Sequence, residues 1–278
     1  MNWLGYALLA VAINTSLSIG LRLQTKQVAN PRVTGLVYNC YAALTAVIIW
    51  IITGAQLPSN IPAWAIILLM LSAVGYGIFQ RGQFYLRKHV EASELAPVLQ
   101  AGILAGLAAS VLILGESLTP KKLAGIIIIL GGLAIIHKDT KLRVNKFTTY
   151  ALFIASCLSV AGVIDKVASG YFPIYFYAMM IWLLPLPYIA VPVKRAEFTA
   201  ATTEGKFVLP LLAGLNALSL VLLVKALQLG DATSVLPVMA TTSIMTVISG
   251  VIFLREHKDW QIKLIAGILV TIGVIALR

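Results

Sequence analysis

A short phrase occurs twice in this chain at an offset of 140 residues: Glu91-Ala-Ser-Glu-Leu-Ala-Pro97 leads to Leu114-Gly-Glu116, and Asp231-Ala-Thr-Ser-Val-Leu-Pro237 leads to Leu254-Arg-Glu256. The distances from acid to proline and from proline to the closing glutamate are the same in both copies. Each copy then enters another apolar run with Ala-Gly near its start, Ala124-Gly125 and Ala266-Gly267. Repetition at this spacing means two halves built on one architecture, residues 1–140 and 141–278.

Around the repeats lie ten apolar stretches of about 16–25 residues, separated by short polar joints: 3–21, 33–53, 63–86, 93–114, 123–137, 147–167, 171–193, 207–229, 233–254 and 262–277. At about 1.5 Å per helical residue, each covers most of a hydrocarbon core. With 60% of residues hydrophobic and 11% charged, water cannot be the main solvent of the surface. The fold expected is all-α and integral to the membrane, with ten transmembrane helices. Five crossings per half put the second half into the membrane upside down, giving two inverted five-helix repeats and two near-equivalent arrangements, one open to each side. The first stretch lacks a basic leader and a cleavage site, so it reads as a retained helix.

A net charge of +11 raises the question of nucleic acid, but the basic residues form no continuous stripe with interleaved aromatics. They mark topology. Fifteen fall in odd-numbered joints, Arg22 and Lys141 among them, and five in even joints and chain ends. That bias predicts odd joints in the cytoplasm and both termini outside. Cys40 and Cys157 lie inside apolar spans and read as packing residues. His89, His137 and His257 sit at membrane edges, too far apart to suggest a metal site.

The acid-Ala-Ser/Thr phrase with its proline, Leu114-Gly-Glu116, Leu118-Thr-Pro120, Gly125 and Gly131-Gly132 together resemble the EamA family of the drug/metabolite transporter superfamily. The second copy is similar through Lys225-Ala-Leu-Gln-Leu-Gly-Asp231-Ala and Glu256, with Arg255 where that family commonly has Gly. The resemblance implies a ten-helix exporter or exchanger of small organic metabolites in the plasma or inner membrane, with a central cavity between the halves. It also implies cytoplasmic termini, opposite to the charge bias.

Polar residues at membrane depth are costly unless turned toward a cavity or a partner helix. Tyr76, Gln80 and Gln83 share one helical face, as do Tyr38, Tyr41 and Thr45, and Asn14 with Ser18; Asn216, Ser219 and Gln100 add further hydrogen-bonding groups. These residues predict a polar, aromatic lining for a small solute. Any single one is equally explained by interhelical hydrogen bonding. Arg81, Lys225, and the adjacent Asp165 and Lys166 are charged candidates near span ends; snorkelling to the interface competes with substrate contact for each. Pro185 and Pro187 predict a kink in the seventh span, while Pro97 and Pro237 stand near helix starts. Gly102, Gly106, Gly125 and Gly132 suit close helix approach.

All six acids in or beside the spans fall near span ends: Glu91, Glu94, Glu116, Asp165, Asp231 and Glu256. The first helix offers Asn14 where small multidrug-resistance relatives place a glutamate. Obligate proton–cation antiport is therefore disfavoured, and a neutral or zwitterionic solute moving by uniport or exchange is expected. No nucleophile, phosphate-loop or metal-ligand motif suggests an enzyme or a cofactor. The expected partners are a small-molecule substrate and the lipid bilayer, in a monomer or homodimer. A flippase for a lipid-linked sugar, which needs a lateral opening and an anion-binding Arg or Lys such as Arg81, and a non-transporting scaffold are the alternatives.

Overall fold

The computed structural model describes residues 2–25, 30–54, 60–89, 99, 102–136, 146–191, 193–204 and 207–253, with six further positions between 261 and 273. Gln100, Pro97, Glu91, Glu94 and Glu256, and most of the tenth apolar stretch, lie outside the described residues. Within them the elements are helices. These are α1 (Trp3–Thr25), α2 (Pro31–Thr53), α3 (Ala63–His89), α4 (Ile103–Leu114), α5 (Pro120–Ile136) and α6 (Lys146–Ala168), the last followed by a 3-10 turn at Ser169–Tyr171. Then come α7 (Ile174–Leu183), α8 (Leu186–Ala190), α9 (Arg195–Glu204), α10 (Val208–Leu229) and α11 (Ala232–Phe253).

Local chemistry sets the ends. α2 starts at Pro31, whose missing N–H costs nothing in a first turn, behind Asn30, whose side chain accepts from the Arg32 amide at 3.3 Å. It stops at Gly54 with φ of 60°, and α4 stops at Gly115 with φ of 65°, both left-handed positions that favour glycine. Thr119 and Pro120 open α5 in the same way, with the Thr119 hydroxyl accepting from the Lys122 amide at 3.2 Å. The seventh apolar stretch kinks where expected: α7 ends at Leu183 and α8 begins after Pro185, whose ring nitrogen cannot donate to the helix ladder, while Leu184 and Pro185 keep right-handed helical angles. α11 runs unbroken through Pro237. The joint after the seventh stretch holds a helix that the hydropathy pattern does not reveal. α9 is short and mixed in composition, capped where Glu197 accepts from the Lys194 amide at 3.1 Å, and it packs on α2.

Five described helices are long and apolar enough to cross a membrane: α1, α2, α3, α6 and α10. Their outward faces are hydrophobic, with Ile52 78% and Leu211 64% exposed, as befits side chains that meet lipid. The most extensive helix pairs each take one member from either half of the chain: α3 with α6, α1 with α10 and α11, α2 with α10 and α7, and α4 with α6. The core therefore lies between the halves. Close approach is allowed by glycine. A Cβ on Gly102 would sit 2.5 Å from the Ala155 carbonyl carbon, and one on Gly75 would sit 2.9 Å from the Cys157 carbonyl oxygen.

The repeated phrase acquires a structural meaning at this interface. The Glu116 carboxylate accepts from the amides of Ala232 and Thr233 at 3.1 and 2.9 Å, capping α11 at its positive end. Lys122 joins the same corner, donating to the Thr233 hydroxyl at 2.8 Å and lying 4.0 Å from Asp231.

Candidate functional site

α3 carries a polar stripe of Ser72, Tyr76, Gln80, Gln83 and Arg87, at steps of four, four, three and four residues, which is the spacing of one helical face. Apart from Arg81 and the polar residues of the last turn, apolar side chains fill the rest of the helix, so the stripe can be tolerated only against partners from other helices. One end meets an acid and the other a group of aromatic side chains.

At the first end stands Asp165 of α6, which is 0% exposed. Its Oδ1 accepts from the Ser72 hydroxyl and from the Tyr177 hydroxyl at 2.5 Å, and its Oδ2 accepts from the Tyr76 hydroxyl at 2.8 Å. Three helices, α3, α6 and α7, are thus held by one carboxylate. An ionised carboxylate only accepts, so three hydroxyl donors suit it. Among the described residues no lysine or arginine pairs with it. Asp165 does lie near the end of its candidate span, Thr149–Tyr171, but α3 and α7 close over it, so it does not reach the interface by snorkelling.

At the second end, Tyr38 of α2 is 0% exposed and packed against Phe84, with ring centroids 5.6 Å apart, and against the edge of Trp182 of α7 at 6.5 Å. The Asn216 side chain of α10 faces the Tyr38 hydroxyl without completing a hydrogen bond of ordinary geometry. The Trp182 indole N–H is likewise buried without an acceptor. From α3, Arg87 donates to Gln83 at 3.3 Å, and the Gln83 amide donates to Gln80; Gln80 and Gln83 are both buried. A cluster of hydrogen-bond donors and ring faces is thereby assembled from both halves of the chain, able to receive acceptor groups and a flat or apolar body.

Other candidates are occupied by protein partners. Asn14 accepts from the Ser219 hydroxyl at 3.0 Å, an interhelical bond between α1 and α10. Ser18 and Thr45 return their hydroxyls to the carbonyls of Asn14 and Tyr41, each at 2.9 Å. Lys166 donates to the Leu227 carbonyl at 2.8 Å and to that of Gly230, so it caps the C-terminal end of α10 and does not share Asp165's surroundings. Arg81 donates to the Tyr188 carbonyl at 3.3 Å and lies 4.9 Å over its ring. It lines a narrow recess with Arg32, Gln80 and Val191. Tyr41 and Lys225 are half-buried on α2 and α10.

Ser72, Arg87, Tyr177 and Trp182 are the participants that sequence reasoning misses. Extending the Tyr76–Gln80–Gln83 face by one helical step in each direction finds the first two. Tyr177 and Trp182 sit in a run of aromatic and aliphatic residues that carries no such signal.

Long apolar helices with lipid-facing side chains outside and a polar seam inside define a membrane protein that crosses the bilayer several times. Residues 1–137, just under half of the chain, match the model of the EamA-like transporter family, and this stretch is similar to those membrane transporters of the drug/metabolite type. No curated protein matches the sequence. A solved structure, described only as the crystal structure of a protein, is similar over 99% of this chain and 97% of its own, with 16% identity and a TM-score of 0.75. That likeness shows the fold.

Proposed function

We propose that the protein exports or exchanges small neutral or zwitterionic organic metabolites across the cell membrane by alternating access, as ten spanning helices in two inverted repeats. The observation that carries this reading is the cluster of Tyr38, Trp182, Asn216 and the Gln80–Gln83–Arg87 ladder, built from helices of both halves around two buried donors without acceptors. An unpaired buried donor costs about 1–3 kcal/mol, which an acceptor on a bound solute recovers. A solute held between the halves shifts the balance of inward and outward forms by its differential affinity for the two.

The test compares metabolites released by cells carrying the wild-type chain, Tyr38→Phe, Gln80→Ala or an empty vector, at equal membrane abundance. The expected result is a solute released only by the wild type, with Tyr38→Phe lowering release about tenfold through loss of one hydrogen bond. A released-metabolite profile identical in all four strains overturns the exporter reading. Release that survives both substitutions undiminished removes the site from it.

A further inference from the structure

We propose that Asp165 is a proton-binding site inside the membrane-spanning part of the protein, and that a proton taken up there loosens the hold of α7 on α3 and α6. The inference rests on the packing around Asp165 and is independent of the solute carried. Its geometry favours a proton over a metal ion. The three hydroxyl oxygens stand in direct hydrogen-bond contact with the carboxylate, Tyr177 at 2.5 Å and Tyr76 at 2.8 Å, so each gap holds a hydrogen and none encloses a cation with a full shell of oxygen ligands.

The cluster also has a place to put the added proton. The Ser72 hydroxyl, which donates to Oδ1, lies 3.5 Å from the Ala161 carbonyl. On protonation one O–H bond forms at Oδ1, that new O–H donates to the Ser72 oxygen, and the Ser72 hydrogen turns to Ala161. Every group stays paired in both states, the condition for a buried acid to gain and lose a proton at tolerable cost. The bonds from Tyr76 and Tyr177 change from charge-assisted to neutral, roughly halving their strength. α7 is held on this side by Tyr177 and kinks at Pro185, and it carries Trp182 with it. Among the described residues, Tyr76 of α3 and Tyr177 of α7 are the titratable groups bonded to Asp165, and the 3-10 turn on α6 carries Tyr171, which is exposed and packs on Trp64. α4 and α11, which also pack on α6, contain none; α10 contributes Lys225; and Lys166, next along α6, is committed to the Leu227 and Gly230 carbonyls.

The test uses the full chain in liposomes across a pH series, in sodium and in choline buffers. Infrared difference spectra read the carbonyl band of a protonated carboxyl, and amide hydrogen exchange reads α7. The wild type should show a titrating band that Asp165→Asn lacks, and exchange in α7, corrected for the intrinsic pH dependence of amide exchange, should rise about tenfold from the alkaline to the acid side in the wild type while the uncharged variant shows no such change. Tyr177→Phe should keep the band and lose the pH response of α7, which serves if Asp165→Asn does not fold. No titrating band at Asp165, a band with no change in α7, or a titration displaced by sodium would each overturn the proposal.

Discussion

Asp165 and Lys166 are neighbours of opposite charge, yet the helix turns them about 100° apart and sends them to different partners. Lys166 reaches two carbonyls at the end of α10 that no amide satisfies in a helix. Replacing it with Met keeps the stem and removes the donors, at a cost of about 1.5–3 kcal/mol for hydrogen bonds from a charged group. Lys166→Met should therefore lower the thermal midpoint of the purified protein, and Lys166→Arg should recover part of the loss; an unchanged midpoint in the Met variant removes the capping role. At this scale the sequence is half legible. Periodicity places Tyr76, Gln80 and Gln83 on one face because it needs only the helix's own geometry. It cannot say that Ser72 and Tyr177 converge on Asp165, since that depends on which helices lie side by side. Nor does it separate Asn14, spent on Ser219, from Asn216, which faces Tyr38.

Helix starts and stops follow from short-range chemistry, which is why the apolar runs locate α1, α2, α3, α6 and α10 closely while α9 escapes notice. Its mixed residues, RAEFTAATTE, resemble a joint in hydropathy; a cap at Glu197 and packing on α2 make it a helix. Glycines in these runs look alike in sequence and differ sharply in packing. Gly102→Ala would press a methyl against the Ala155 backbone at 2.5 Å, which has no rotamer to yield, so a loss of about 1–3 kcal/mol is expected. Gly20→Ala meets a Leu212 methyl at 2.7 Å, which can turn aside, and Gly131→Ala meets nothing within 4 Å. Thermal midpoints of the three variants should fall in the order Gly131→Ala highest, Gly20→Ala between and Gly102→Ala lowest. Equal midpoints for Gly102→Ala and Gly131→Ala would mean that α4 and α6 are not in backbone contact.

Across the whole molecule, the pairs of helices that cross from one half to the other outweigh those within a half, so the halves act as one body and the polar seam lies between them. The duplicated phrase joins the halves at one corner: Glu116 closes the first copy and reaches the opening of the second, at Ala232 and Thr233. The sequence shows the repeat but not its purpose, because a glutamate followed at long range by two free amides leaves no trace in local spacing. Glu116→Gln keeps the shape and one acceptor but removes the charge that complements the positive end of α11. Two charge-assisted bonds become one neutral bond, a difference of about 1.5–3 kcal/mol, or about tenfold to a hundredfold in the local opening equilibrium. Amide exchange at Ala232 and Thr233 should accelerate by that factor while exchange in the middle of α10 stays unchanged. Acceleration spread evenly over both helices would instead mean that Glu116 supports the body as a whole, and unaltered exchange would separate the glutamate from the junction of the halves.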